Sequence, residues 1–379
     1  MKNHIKHAKI TRSNLGNFHK NEYSILGTPC GNIKKLAFDI TSALSTDFQV
    51  GYIDADHKNA DDNEHQPNCA LDYGASLEYI DKINFHRFDT SQPLNEFVFK
   101  QQFSPQDLVL VNGNHFEAKK QIIVIDSKKP LEKKLQKLTN VVMVLLINEE
   151  NSIPDYLNDL IKNVPVFKTN ETNRISEFIA GEVAENLAPL KGLVLAGGKS
   201  TRMNRDKGKI DYHGKEQRLY MYDLLSKLTT ESFLSIRKEQ LDEFQTEEPT
   251  IEDVFIGLGP YGAILSAFQN DPNAGWLVTA CDQPLLNEDT LKHLISKRNP
   301  SKLATAFYNS ETDFPEPLVT IWEPRAYSRM LYFLSLGYSC PRKVLINSDI
   351  ELVKLENEQV LKNANTPEEF DTISMSLKP

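Results

Sequence analysis

Cysteine is scarce: four in 379 residues, at positions 30, 69, 281 and 340, with no Cys-x-x-Cys pair among them. That scatter excludes a disulfide framework and reads as reduced thiols in a cytosolic protein, most of them packing residues. Long apolar runs are also missing, since none approaches the roughly 18–20 residues that span a bilayer. The opening MKNHIKHAKI is basic but no apolar core follows it, so no secretory leader is expected. Positive charge is outweighed, with 43 Lys and Arg against 52 Asp and Glu and a formal net charge of −9. This argues against a general nucleic-acid binder, although an acidic chain can hold a local basic site. Neither an internal repeat nor a low-complexity tract is found.

What is present is an ordinary globular mixture, 40% hydrophobic and 25% charged. Its length exceeds one average domain of about 100–200 residues, which makes two domains the natural expectation. Short runs rich in Val and Ile read as buried parallel strands: 48–54, 108–113, 121–126 and 141–147. Helical patterns at 32–44 and 154–163 lie between them, and the polar stretch 57–71 reads as an exposed loop. The pattern breaks near NLAPLK (186–191) and restarts. Strands are expected at 232–237, 275–282, 303–308 and 318–322, with helices at 218–228, 263–270 and 287–297. The rhythm is that of two open, mostly parallel, three-layer α/β domains, residues 1–187 and 188–379.

The second domain opens with LVLAGGKSTRM (193–203). A strand ends at Leu195 and a turn follows at Gly197 and Gly198. Glycines there permit positive φ and leave backbone N–H groups open to a phosphate or a base edge. In open α/β sheets ligands sit beyond the carboxyl ends of strands, where this turn falls. Lys199, Arg202, Arg205, Lys207 and Lys209 supply cations suited to a polyphosphate. GWLVTACDQP puts Asp282 at the end of another strand. It suits a Mg²⁺ ligand, and equally a turn aspartate capping the next helix. GLGPYGAI (257–264) leads into a helix whose N-terminus favours anions.

These segments, with IED (251–253), GPYGA (259–263), CDQP (281–284) and NANTPEE (363–369), resemble the molybdenum cofactor guanylyltransferase (MobA) family from about residue 191 to 374. The resemblance implies a Rossmann-like nucleotidyltransferase fold and Mg²⁺-dependent transfer of GMP from GTP to molybdopterin, releasing pyrophosphate. By the same resemblance, the backbone of Leu195, Ala196 and Gly197 would line guanine and the α-phosphate, with Gly198, Lys199 and Ser235 beside them. Lys207 would contact the phosphates, Arg202 the leaving pyrophosphate, Asp253 the nucleoside, and Asp282 the metal. Arg342, Lys343, Asn363 and Asn365 would lie towards the pterin. Two departures, Asn204 where the family usually has glycine and Ser235 where it often has asparagine, leave guanine and cytosine both open. A sugar phosphate as substrate, or a cofactor-binding and delivery role, remains an alternative. Molybdenum insertion proteins, cofactor chaperones or apo-molybdoenzymes are the protein partners the resemblance implies.

The first half reads as a P-loop protein without the loop. Gly27 and Gly31 are four apart, no Gly-Lys-Ser/Thr follows, and Lys34 and Lys35 stand too far on. Nucleotide hydrolysis is therefore not expected there. YIDADHK (52–58), DLVLVNGNH (107–115) and VPVFKTNETNRISEFIAGEV (164–183) nevertheless resemble the MobB-type partner family. The chain would then fuse a degenerate MobB-like domain to a MobA-like transferase. Asp54, Asp56 and His57 fit either a metal group or a capped turn at a strand end, and the turn is favoured. His4 and His7 carry no assignment.

Overall fold

In the computed structural model, residues 16–56, 69–147, 152–198, 207–240, 247–364 and 366–377 are described. The chain divides into two units, Met1–Asn186 and Leu187–Pro379. No helix among the described residues is long and apolar enough to cross a membrane.

The first unit runs β1 (Glu22–Leu26), α1 (Cys30–Leu44), β2 (Val50–Ile53), β3 (Leu77–Lys82), β4 (Phe85–Thr90), α2 (Glu96–Phe103), β5 (Leu108–Asn112), β6 (Lys120–Ile125), β7 (Val141–Leu146), β8 (Val166–Lys168) and α3 (Thr172–Glu185). Six strands form one parallel sheet in the order β2-β5-β1-β6-β7-β8. β1 and β5 are buried at every position, as expected of strands covered on both faces. On one face α1 buries Ile33, Leu36, Ala37, Ile40 and Leu44, a helical spacing, against Ile175, Ile179 and Val183 of α3. Phe103 of α2 covers Val109 and Val111 on the other face.

Two sequence expectations change here. The segment 154–163 is only a 3₁₀ turn at Asp155–Leu157. Leu157 is fully buried whereas Leu160 is 40% exposed, so no continuous apolar face is buried. Asn158 N donates to Asp155 O at 3.1 Å and Leu160 N to Leu157 O at 2.9 Å, the tighter i→i+3 pattern of a 3₁₀ turn. Of the stretch read as an exposed loop, 57–68 lies outside the described residues, and Ala70–Tyr73 is a 3₁₀ turn. The hairpin of β3 and β4, with Tyr79 opposite Phe88, was not anticipated.

The second unit runs β9 (Leu190–Leu195), α4 (Gln217–Ser226), β10 (Ser232–Ile236), β11 (Thr250–Glu252), α5 (Pro260–Asn270), β12 (Gly275–Ala280), α6 (Glu288–Ser296), β13 (Ala304–Asn309), β14 (Phe314–Trp322), α7 (Arg325–Ser335), α8 (Pro341–Ile346), β15 (Glu351–Val353) and α9 (Pro367–Leu377). The sheet order is β11-β10-β9-β12-β14-β13-β15, with β14 antiparallel to both neighbours and the other pairs parallel. Two cores fill the layers. One holds Met221, Leu224 and Leu291 from α4 and α6, and the other Ile264, Phe268 and Met330 from α5 and α7. Leu195 pairs with both Ser235 and Ala280. The carboxyl ends of β10, β9 and β12 therefore stand side by side, and the turns after them share one edge of the sheet.

Candidate active site

That edge opens into a cavity of about 900 Å³. Its walls are the Leu195–Gly198 turn after β9, Lys207, Ser235 and Arg237 at the end of β10, Asp253 after β11, the Gly259–Pro260 start of α5, and Asp282 after β12.

The glycine turn is used differently from the expectation. Neither Gly197 nor Gly198 has positive φ. A Cβ on Gly198 would meet no described atom within 4 Å, and one on Gly197 would make ordinary contacts with Arg237 Cγ at 3.4 Å and with Arg237 N and Asp253 Oδ2 at 3.5 Å. The described protein atoms therefore do not demand glycine at either position. What the two glycines keep clear is the cavity beside them.

Around this gap the polar groups are tied to one another. Arg237 Nε donates to Gly197 O at 2.6 Å. Ser235, itself buried, donates from Oγ to Asp253 Oδ1 at 2.7 Å. Burial pushes the Asp253 carboxyl above the ordinary range, opposed by the Ser235 hydrogen bond and the Arg237 charge. Gly259 caps α5 with φ +57, and Pro260 occupies the first helical turn, where its missing N–H costs nothing.

Across the cavity Asp282 Oδ2 lies 3.6 Å from Lys207 Nζ, and both side chains are about four-fifths buried (18% and 23% exposed). Asp282 Oδ1 is buried and makes no hydrogen bond to the described residues. The capping alternative fails, because Asn287 caps α6 by accepting from Thr290 N. Ala364 N donates to Asp282 O at 2.7 Å, which fixes the C-terminal segment beside the carboxylate.

Two groups near Asp282 were not foreseen. Glu316 on β14 is 5% exposed, and Arg342 Nη2 approaches its Oε2 at 3.9 Å. Burial raises the Glu316 carboxyl, opposed by the Leu318 amide and Arg342 and reinforced by Asp282. Tyr212 is pushed up to about 12, first by burial and then by the Asp282 charge. The available signal for Glu316 was a charged residue inside the apolar run FPEPLVTIW, where burial demands a partner.

Of the sequence candidates, Leu195, Ala196, Gly197, Gly198, Lys207, Ser235, Asp253 and Asp282 line one cavity. Arg342 faces Glu316, and Asn363 is exposed next to the Ala364 tether. Lys343 instead lies over the Tyr338 ring at 5.0 Å, because α8 packs against the end of α7. Lys199, Arg202 and Asn365 lie outside the described residues. No group of three His, Cys, Asp or Glu among the described residues could hold a metal ion. His57 is outside them, and Asp54 is occupied by Asn112 Nδ2 at 2.7 Å and Tyr52 OH at 2.6 Å. A Mg²⁺ ion held by the orphaned Asp282 oxygen and substrate phosphates needs no such group, since this ion commonly takes about one or two carboxylates.

In the first unit the turn between β1 and α1 is closed rather than a cradle. Gly27 has φ +96, and a Cβ there would strike Val124 O at 2.3 Å. Thr28 Oγ1 donates to Asp126 Oδ2 at 2.6 Å, and Asn114 Nδ2 to Thr28 O at 3.0 Å.

Residues 192–349 match the model of the MobA-like NTP transferase domain. A molybdenum cofactor biosynthesis bifunctional protein of Synechocystis sp. is 34% identical over 217 residues, which are 57% of this chain and 62% of that protein's length. A molybdenum cofactor guanylyltransferase of Vibrio vulnificus is 27% identical over 185 residues, 47% of this chain and 91% of its own. Among solved structures, molybdopterin-guanine dinucleotide biosynthesis protein A of Archaeoglobus fulgidus is 21% identical, with a TM-score of 0.43. That match covers 49% of this chain and 97% of the other. A MobB protein homolog of Bacillus stearothermophilus is 18% identical, with a TM-score of 0.32, covering 44% of this chain and 99% of the other.

Proposed function

We propose that the chain, whose residues 192–349 match the model of the MobA-like NTP transferase domain, transfers GMP from GTP to the terminal phosphate of molybdopterin and releases pyrophosphate, with Mg²⁺. The observation that carries the reading is the Asp282–Lys207 pair lining the same cavity as the Gly197–Gly198 turn: one buried carboxylate oxygen without a partner among the described residues, a cation 3.6 Å from the other, and a cavity of about 900 Å³.

Each residue then has a task. The Gly198 backbone lets the phosphates approach without a side chain intervening. Lys207 binds them, and the N-terminus of α5 adds a favourable field for anions. Asp253, oriented by Ser235, faces the nucleoside, and Arg237 fixes the turn through Gly197 O. Asp282 would hold Mg²⁺, which offsets phosphate charge. A phosphate oxygen of the acceptor attacks the α-phosphorus in line while the bond to the β-phosphate oxygen breaks. Transfer of this kind asks the protein for positioning and charge rather than covalent work.

The test is pyrophosphate release with Mg²⁺ and fresh molybdopterin, comparing GTP, CTP, ATP and UTP. Release with GTP alone is expected. Preference for CTP would keep the mechanism and change the product, and no release with any of the four would sink the reading.

A further inference from the structure

Where a nucleotide-binding loop is missing from the first unit, a thiol stands instead. Cys30 is the first residue of α1, a helix of 15 residues, and is half-exposed. Its Sγ lies 3.4 Å from His115 Nε2 and accepts from Asn114 Nδ2 at 3.5 Å. The same imidazole nitrogen is 4.0 Å from Asp54 Oδ1, and Asp54 is held in place by Asn112 and Tyr52. Behind Asn114, Lys134 Nζ donates to its Oδ1 at 3.1 Å. Asp126 is turned towards Thr28. β1, β2, β5, β6 and the 3₁₀ turn Glu132–Lys137 thus each contribute a group at or just beyond the strand ends. A Cβ on neighbouring Gly31 would meet no described atom within 4 Å, and Cys30 itself is half-exposed.

The polarity is the informative part. Cys69 donates its thiol hydrogen to the Glu78 carboxylate at 3.3 Å, an arrangement that keeps the proton on sulfur. Cys30 instead faces an imidazole nitrogen, an amide N–H and the start of a helix, with no carboxylate bonded to its sulfur among the described residues. Burial and the charges of Lys129 and Lys137 lower the Lys134 ammonium, while Cys30 opposes them, which puts the sulfur within electrostatic reach of that cation.

We propose that Cys30 is a nucleophilic thiol with His115 as its proton acceptor, and that this sheet edge is a covalent site for small disulfides. The Sγ proton passes to Nε2, which requires the neutral tautomer protonated on Nδ1. Sγ attacks one sulfur of the disulfide, the new S–S bond forms as the old one breaks, and the departing thiolate takes the proton from Nε2–H. One protein thiol and one disulfide become a mixed disulfide and one free thiol, so no further oxidant is needed. A disulfide is the electrophile this site suits: attack on sulfur needs a thiolate and a proton relay, whereas attack on a carbonyl also needs donors arranged for the oxyanion.

The experiment treats the full-length protein with oxidised glutathione and follows the peptide of each cysteine by mass spectrometry. Cys30 is expected to form the mixed disulfide before Cys340, although Cys340 is the more exposed. His115→Gln should slow Cys30 by a factor on the order of 10² and leave Cys340 unchanged. Lys134→Met, which leaves the immediate neighbours of the sulfur in place, should slow it by a smaller factor and guards against a His115 variant that fails to fold. Faster reaction at Cys340, or a Cys30 rate unchanged in both variants, would overturn the proposal.

Discussion

At Asp282 the two oxygens of one carboxylate have different surroundings: Oδ2 faces Lys207, and Oδ1 is buried without a described partner. A buried acceptor left unsatisfied costs about 1–3 kcal/mol, so its retention needs a functional reason. Asp282→Ala should lower Mg²⁺-dependent transfer by on the order of 10²–10³. It should melt no earlier than the parent, because the backbone bond to Ala364 survives and Asn287 does the capping. Full turnover in a Mg²⁺ titration would remove Asp282 from the metal's ligands, and early melting would make its role structural. Glu316 makes a separate test through pH. Its folded pKa is raised, so the native state holds that proton more tightly than the unfolded chain. Stability from this group is present below the ordinary value of 4.5 and is lost as pH rises towards the folded pKa. Glu316→Gln should therefore gain on the parent as pH increases through that interval, read as the difference between urea midpoints. Parallel curves would contradict the burial argument. Asp282 was legible because it ends a strand in a Cys-Asp-Gln-Pro turn. Glu316 and Tyr212 were not, because their meaning comes from β14 and the C-terminal segment folding back beside Asp282, which no local pattern encodes.

Among the elements, the start of α5 is the most constrained piece of the cavity wall. Gly259 has φ +57 and ψ −137, a combination that L side chains rarely adopt, yet a Cβ there would meet nothing within 4 Å. Gly259→Ala thus isolates backbone strain from collision. Unfolding in urea should show a loss of about 1–3 kcal/mol. The KM for the nucleotide should rise, because the helix N-terminus shifts away from the phosphates. A neutral change in both would mean that the turn relaxes freely. Strands were the easiest elements to read, since runs such as 108–112 and 275–280 are buried at every position and are mostly apolar, with Asn112 and Thr279 the polar exceptions. The same uniformity hides direction, and the antiparallel insertion of β14 left no trace in its own residues. α7 was missed although Ala326, Met330 and Phe333 stand at helical spacing. The hairpin of β3 and β4 was missed because Tyr79, Phe85 and Phe88 are exposed, so its apolar residues do not mark a buried face.

On the scale of the whole chain, two α/β units share a mostly parallel sheet but differ in the turn after the first strand. In the second unit a Cβ on Gly198 would meet no described atom within 4 Å, and one on Gly197 would make only ordinary contacts with Arg237 and Asp253. In the first, the corresponding turn is filled from within. A Cβ on Gly27 would strike Val124 O, Thr28 is bonded to Asp126 and Asn114, and the helix begins at Cys30 with no Gly-Lys-Ser/Thr in its first turn. Backbone N–H groups cannot cradle phosphates through a turn already closed by its own side chains. The full-length Asp282→Ala protein, with the proposed transfer in the second unit lowered, should therefore show no Mg²⁺-dependent hydrolysis of ATP or GTP above a buffer blank. No separation of the units is needed, because Thr28→Val alters the first unit and leaves the lining of the second unit's cavity in place. Measurable turnover that then disappears on Thr28→Val would place a working nucleotide site in the first unit and reverse the reading of its lost loop.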